Sequence, residues 1–188
     1  MAERFAFHQT DLPGVQWIEP LVHGDERGFF LETYRASDFS AAGITDVFVQ
    51  DNHSRSARGV LRGLHLQKMH PQAKLVHCTA GAVWDVAVDV DPSSPTFRRW
   101  FGMELSPANR LQLYIPAGMA HGFLALADGT EFVYKCSSYF DPVDEAGILW
   151  SDRELRVAWP LEAVGTPIVS PRDAALPTLA QYLKERAG

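Results

Sequence analysis

Gly59-Val-Leu-Arg-Gly-Leu-His65-Leu-Gln67 is a run of leucine and valine that also carries an arginine, a histidine and a glutamine. Its apolar content over so few residues reads as a strand packed in the interior. Polar groups in such a place cost free energy unless they are paired or used. On a regular strand Leu61, Gly63, His65 and Gln67 share one face, and Arg62 points to the other. If Arg62 and His65 serve one site, a bulge near Gly63 is the simplest reconciliation. The pattern therefore predicts an interrupted ladder between Leu61 and Leu66.

Runs of the same kind lie on both sides of this strand. They are VQWIEP (15–20), GFFLETY (28–34), VFVQDN (47–52), KLVHCT (74–79), AVWDVAVDV (82–90), RRWFGMEL (98–105), LQLYIP (111–116), HGFLALA (121–127) and EFVYKCSSY (131–139). Turn residues separate them: Gly81, Pro92-Ser-Ser-Pro95, Pro107-Ala-Asn, Pro116-Ala-Gly118 and Asp128-Gly129. Short strands at this spacing predict an all-β sandwich or barrel. Helix signals are confined to Ser37–Gly43 and to a C-terminal segment, 178–186, begun by Thr178 and basic at its end. At 188 residues, 46% of them hydrophobic, the chain suits a single domain over 1–188.

The net charge of −6 carries no block of like charges, which argues against a nucleic-acid surface. No stretch approaches the roughly 18 apolar residues of a membrane span, and MAERFAFHQTDLPG has no apolar core of a secretory leader. Cys78 and Cys136 lie inside expected strands without CxxC spacing, so they read as buried free thiols of a cytoplasmic protein.

Two chemistries suit His65. Metal sites in small barrels often use His-x-His, but here the second position is Gln67, which leaves His65, His121 and Asp85 as a possible three-ligand set. Metal-free proton transfer is the other: a neutral histidine is a ready base, and a carboxylate on its far nitrogen fixes the tautomer. Asp85, Asp89 and Asp173 are the possible partners, and spacing does not choose among them. There is no G-x-S-x-G elbow and no glycine-rich phosphate loop. Gly24-Asp-Glu-Arg-Gly28 reads as a tight turn whose Arg27, with Arg62 and Lys74, suits phosphate oxygens.

The ordered set DERGFFLETY (25–34), VQDNHSRS (49–56), GVLRGLHLQ (59–67), AKLVHC (73–78), AVWDVAVDV (82–90), SSPTF (93–97), LYIPAGMAHGF (113–123), EFVYK (131–135), ILWSD (148–152) and SPRDAALP (170–177) resembles the dTDP-4-dehydrorhamnose 3,5-epimerase family. The resemblance spans about residues 10–180. It implies a cupin-type jelly-roll β-barrel with a few short helices, working as a homodimer without metal or cofactor on a dTDP-sugar. The implied reaction inverts C3 and C5 of dTDP-4-dehydro-6-deoxy-D-glucose. Relatives that invert C3 alone or C5 alone keep similar residues, so a monoepimerase is the nearest alternative.

By the same resemblance His65 matches the proton acceptor, Asp173 its paired carboxylate, Tyr134 the proton donor on the other face, and Lys74 a lysine near the C4 oxygen. Arg27, Glu32, Gln50, Asp51, Asn52, Arg62, His121 and Glu145 fall on substrate-binding positions, and Tyr139 on the position that stacks against thymine. Arg172 stands where a lysine is common, and the two cations are not equivalent.

Overall fold

The structure, a computed structural model, describes residues 4–187. Its strands are β1 (Phe5–Gln9), β2 (Gln16–Pro20), β3 (His23–Asp25), β4 (Gly28–Phe30), β5 (Gln50–Ser56), β6 (Val60–Gln67), β7 (Lys74–Ala80), β8 (Val83–Val88), β9 (Trp100–Leu105), β10 (Gln112–Ile115), β11 (Ala120–Ala125), β12 (Thr130–Cys136), β13 (Glu145–Gly147) and β14 (Ile168–Val169). Three short helices are α1 (Ala36–Ala41), α2 (Pro171–Ala174) and α3 (Leu179–Ala187). One sheet runs β1-β2-β10-β7-β12-β5 and the other β13-β6-β11-β8-β9, with β14 parallel to β6 at its margin. β3 and β4 form a separate hairpin. The architecture is a cupin-type jelly roll, as expected. No helix among the described residues is long and apolar enough to cross a membrane.

Three apolar layers hold it together. Val76, Val83, Leu105, Leu113, Phe123 and Phe132 fill the space between the sheets. Val86, Val88 and Leu124 look outward from the second sheet and are covered by Leu155, Trp159, Leu179 and Tyr182 of the C-terminal segment. This explains why AVWDVAVDV reads as nearly continuous apolar sequence: β8 is buried on both faces. Phe39 of α1 covers the outer face of the first sheet with Phe5, Ile18 and Leu75.

The interruption expected in β6 is present. His121 of β11 pairs with His65 and Phe123 with Arg62, so the single residue Gly122 opposes both Gly63 and Leu64. Gly63 has φ +126°, and a Cβ there would lie 2.6 Å from the Gly122 Cα. Only glycine fits that approach. The extra residue turns Arg62 and His65 to the same side, the side on which Phe123 joins the inter-sheet core. Arg62 accordingly reaches across to β5, where its Nε donates to Ser56 Oγ at 3.3 Å.

Some elements depart from expectation. GFFLETY contributes only the short strand β4, because its Phe29 and Phe30 are 62% and 65% exposed and no sheet receives them. β1 was not among the expected strands. Ser170–Ala174, outside both expected helical segments, contains α2: the Ser170 hydroxyl accepts the Asp173 amide at 3.0 Å, and Pro171 begins the helix. That cap turns Asp173 inward.

Candidate active site

The two sheets part at one end around a cavity of about 240 Å³. Gln50 and Asn52 come to it from β5, Lys74 from β7 and Tyr134 from β12, all in the first sheet. His65 of β6 and Glu145 of β13 face them from the second. Strand phase accounts for this set. Gln50 and Asn52 are alternate residues on one face of β5, joined by a hydrogen bond from Gln50 Nε2 to Asn52 Oδ1 at 2.9 Å.

Of the three aspartates open to His65, the structure selects Asp173. The His65 Nε2 lies 2.7 Å from Asp173 Oδ1, and the Gly63 amide donates to Asp173 Oδ2 at 3.4 Å. Burial pushes Asp173 up, but the hydrogen bond and charge of His65, the Gly63 amide and Ser170 together hold it below the usual carboxylate range. Asp85 is taken by His121 instead, at 2.8 Å, and both are buried. Asp89 closes the loop after β8, accepting from Thr96 Oγ1 at 2.6 Å and from the Ser94 hydroxyl. The possible metal set of His65, His121 and Asp85 is therefore divided between two pairs. Among the described residues no three histidine, cysteine or acidic side chains converge in the manner of a metal site.

Burial dominates the remaining electrostatics. It raises the Tyr134 hydroxyl above the ordinary phenol value, with Cys136 acting in the same direction and Arg62 opposing, so Tyr134 is a protonated donor at neutral pH. It pulls Lys74 down, against the neighbouring Cys136, Asp85 and Glu145. It also lowers His121, outweighing the charge and hydrogen bond of Asp85, so this imidazole is neutral at pH 7. Glu145 accepts a hydrogen bond from Arg172.

Not every expected residue reaches the cavity. Asp51 points away from it on β5 and pairs with Lys135 at 2.8 Å. Arg27 is bound to Asp25 in the β3–β4 turn, where its Nε donates at 3.0 Å. Glu32 lies beside Arg4 and Arg35, at 3.6 and 4.0 Å. These three do not join the His65 cavity within one chain. Tyr139 stands at its rim, 71% exposed, beside Phe140 in the lining. Sequence reasoning missed Leu66, Gln67, Gln72, Cys136 and Phe140 as lining residues. The phase of β6 signals Gln67, since it shares the His65 face. Gln72 and Phe140 lie on connecting segments, where no periodicity marks them.

The family model described as dTDP-4-dehydrorhamnose 3,5-epimerase matches residues 9–181. The dTDP-4-dehydrorhamnose 3,5-epimerase of Pseudomonas aeruginosa is 51% identical over 163 residues, covering 86% of this chain and 89% of its own. That of Shigella flexneri is 50% identical over 167 residues, covering 88% and 91%. The crystal structure of dTDP-6-deoxy-D-glucose-3,5-epimerase from Legionella pneumophila, in complex with dTDP-4-keto-L-rhamnose, superposes with a TM-score of 0.92. It is 45% identical and covers 97% of this chain and 96% of its own.

Proposed function

The chain belongs to the dTDP-4-dehydrorhamnose 3,5-epimerase family, and from that premise we propose how its own residues invert C3 and C5 of dTDP-4-dehydro-6-deoxy-D-glucose. The observation that carries the reading is one cavity with the His65–Asp173 pair on one wall and the protonated Tyr134 on the other.

A hydrogen α to the C4 ketone is acidic because its removal delocalises charge onto the C4 oxygen. The site must supply a base on one face, an acid on the other and donors at the oxygen. His65 is the base. Its Nε2–H donates to Asp173, which leaves the lone pair on Nδ1 and stabilises the imidazolium that forms. Lys74, in the cavity wall, supplies the donor that stabilises the enolate, while His121 keeps its one N–H on Asp85. Tyr134 returns a proton from the opposite face, so the carbon inverts. The proton leaves and returns with no net change of oxidation state, and the chemistry calls for no redox carrier.

The test is solvent deuterium exchange followed by NMR. His65→Asn should abolish exchange at C3 and C5, and unchanged exchange overturns the base assignment. In the parent protein both centres should invert; inversion at one alone identifies a monoepimerase instead.

We assign contacts with the sugar and diphosphate to Gln50, Asn52 and Glu145 of the cavity wall and to Arg62 and Arg172 beyond it, with Tyr139 offering an aromatic face to the base. Arg27 and Glu32 are assigned to the cavity of a second copy, which makes the working unit a homodimer. The exposed β3–β4 hairpin with its two phenylalanines supports this. Mixed Arg27→Ala and His65→Asn chains should regain activity that neither has alone, through dimers in which one cavity is intact. No regain after subunit exchange overturns the shared site. Placement in the cytoplasm rests on two buried free thiols, Cys78 and Cys136, and cell fractionation tests it.

A further inference from the structure

Gln67 occupies the position where a metal-binding barrel would carry its second histidine, and the mechanism above gives it no task. Its side chain is 4% exposed and fully engaged. Nε2 donates to the His70 carbonyl at 2.8 Å and the Tyr139 carbonyl at 3.3 Å, while Oε1 accepts the Asp141 amide at 2.8 Å. Two more glutamines grip the same segment. Gln72 Nε2 donates to the Ser138 carbonyl at 2.8 Å, and Gln50 Oε1 accepts the Phe140 amide at 2.8 Å. Every residue from Ser138 to Asp141 is thus tied by its backbone to a glutamine side chain from the cavity wall.

What the segment carries gives the arrangement its meaning. Its Tyr139 and Phe140 are 71% and 48% exposed, and neither is buried deeply enough to be fixed by packing. A ring held by packing needs neighbours; a ring on an exposed segment needs its backbone fixed instead. Amide side chains suit this, because one glutamine meets a carbonyl and an N–H at once.

We infer that Gln67, together with Gln72 and Gln50, is a positioning clamp that presets the 138–141 segment to hold Tyr139 against the nucleotide base. This deepens the reading of Tyr139 above and rests on it. An ordered aromatic platform binds without the cost of ordering at each encounter. The clamp therefore sets affinity for the nucleotide end and leaves the proton chemistry at His65 and Tyr134 untouched.

The test compares Gln67→Met, which keeps length and removes all three hydrogen bonds, with Tyr139→Ala and the double variant. Binding of dTDP alone and steady-state kinetics are measured on each. Loss of base stacking weakens binding about 5- to 100-fold. Gln67→Met should approach that loss in dTDP affinity and in KM, with kcat changed less than about three-fold, and the double variant should be little worse than Tyr139→Ala. A fall in kcat at constant KM, or fully additive losses, overturns the clamp. If Tyr139→Ala weakens dTDP binding and Gln67→Met does not, the clamp fails while the stacking reading stands. If Tyr139→Ala binds dTDP like the parent, the stacking reading fails and the clamp with it. Gln72→Met removes a single bond from a half-buried side chain. It provides the same test should Gln67→Met not fold, with a smaller rise in KM expected and no rise overturning the proposal.

Discussion

His65 and His121 stand opposite each other on paired strands, yet each is bound to a different carboxylate, Asp173 at 2.7 Å and Asp85 at 2.8 Å. Two imidazoles this close disfavour a shared positive charge, and burial resolves the conflict by keeping His121 neutral. On the proposed mechanism, the proton taken from substrate then has one resting place, at His65 beside Asp173.

Asp173→Asn should test that division of labour. The amide keeps the size of the side chain and loses the charge that stabilises imidazolium. A fall in kcat of about 100-fold or more is expected, in line with positioned acid–base groups, with KM changed much less. A variant with near-parental kcat would remove Asp173 from the mechanism.

The same substitution has a signature in stability. Asp173 lies below the ordinary carboxylate range in the folded state. Its ionisation therefore contributes stability above its unfolded value, near about 3.9, and that contribution is lost as pH falls through the folded value. Urea midpoints for parent and Asp173→Asn should differ most near neutrality and converge as pH falls below about 5 and through the lowered folded-state value. A difference that stays constant as the solution is acidified would refute the linkage.

Tyr134→Phe should separate the two halves of the reaction. Deprotonation by His65 remains, so exchange of solvent deuterium survives better than inversion does. Equal loss of both would argue against a role confined to reprotonation.

Gly63→Ala should cost about 2 kcal/mol or more in folding stability, because φ is +126° and the new methyl meets the Gly122 backbone. Chemical denaturation measures it directly. Activity should fall further than stability alone explains, since the bulge sets the phase of Arg62 against His65.

Much of this arrangement was legible in the chain. The apolar runs and their glycine and proline boundaries foretold the strands, because packing and turn chemistry act over a few residues. The conflict of phase between Arg62 and His65 foretold the bulge, which only a glycine pair closes. Asp173 was harder. Its inward turn depends on a Ser170 cap that spans three residues, while its partner lies 108 residues away. Three aspartates looked alike until tertiary contacts separated them. Arg27 and Glu32 were named only through the resemblance, since their own surroundings are Asp25 for the one and Arg4 and Arg35 for the other. Gln72 and Phe140 were silent because the connecting segments that carry them have no period.

The proposed base and acid come from different sheets, His65 from β6 and Tyr134 from β12, and no backbone hydrogen bonds join those strands. Their separation is set by the hydrocarbon between the layers, chiefly Phe123 and Phe132, whose rings lie 4.5 Å apart. On those proposed roles, interior volume becomes a kinetic variable. A methylene removed from that layer, far from the sugar, should let the walls approach, and an ångström of misplacement there would cost about 100-fold in rate.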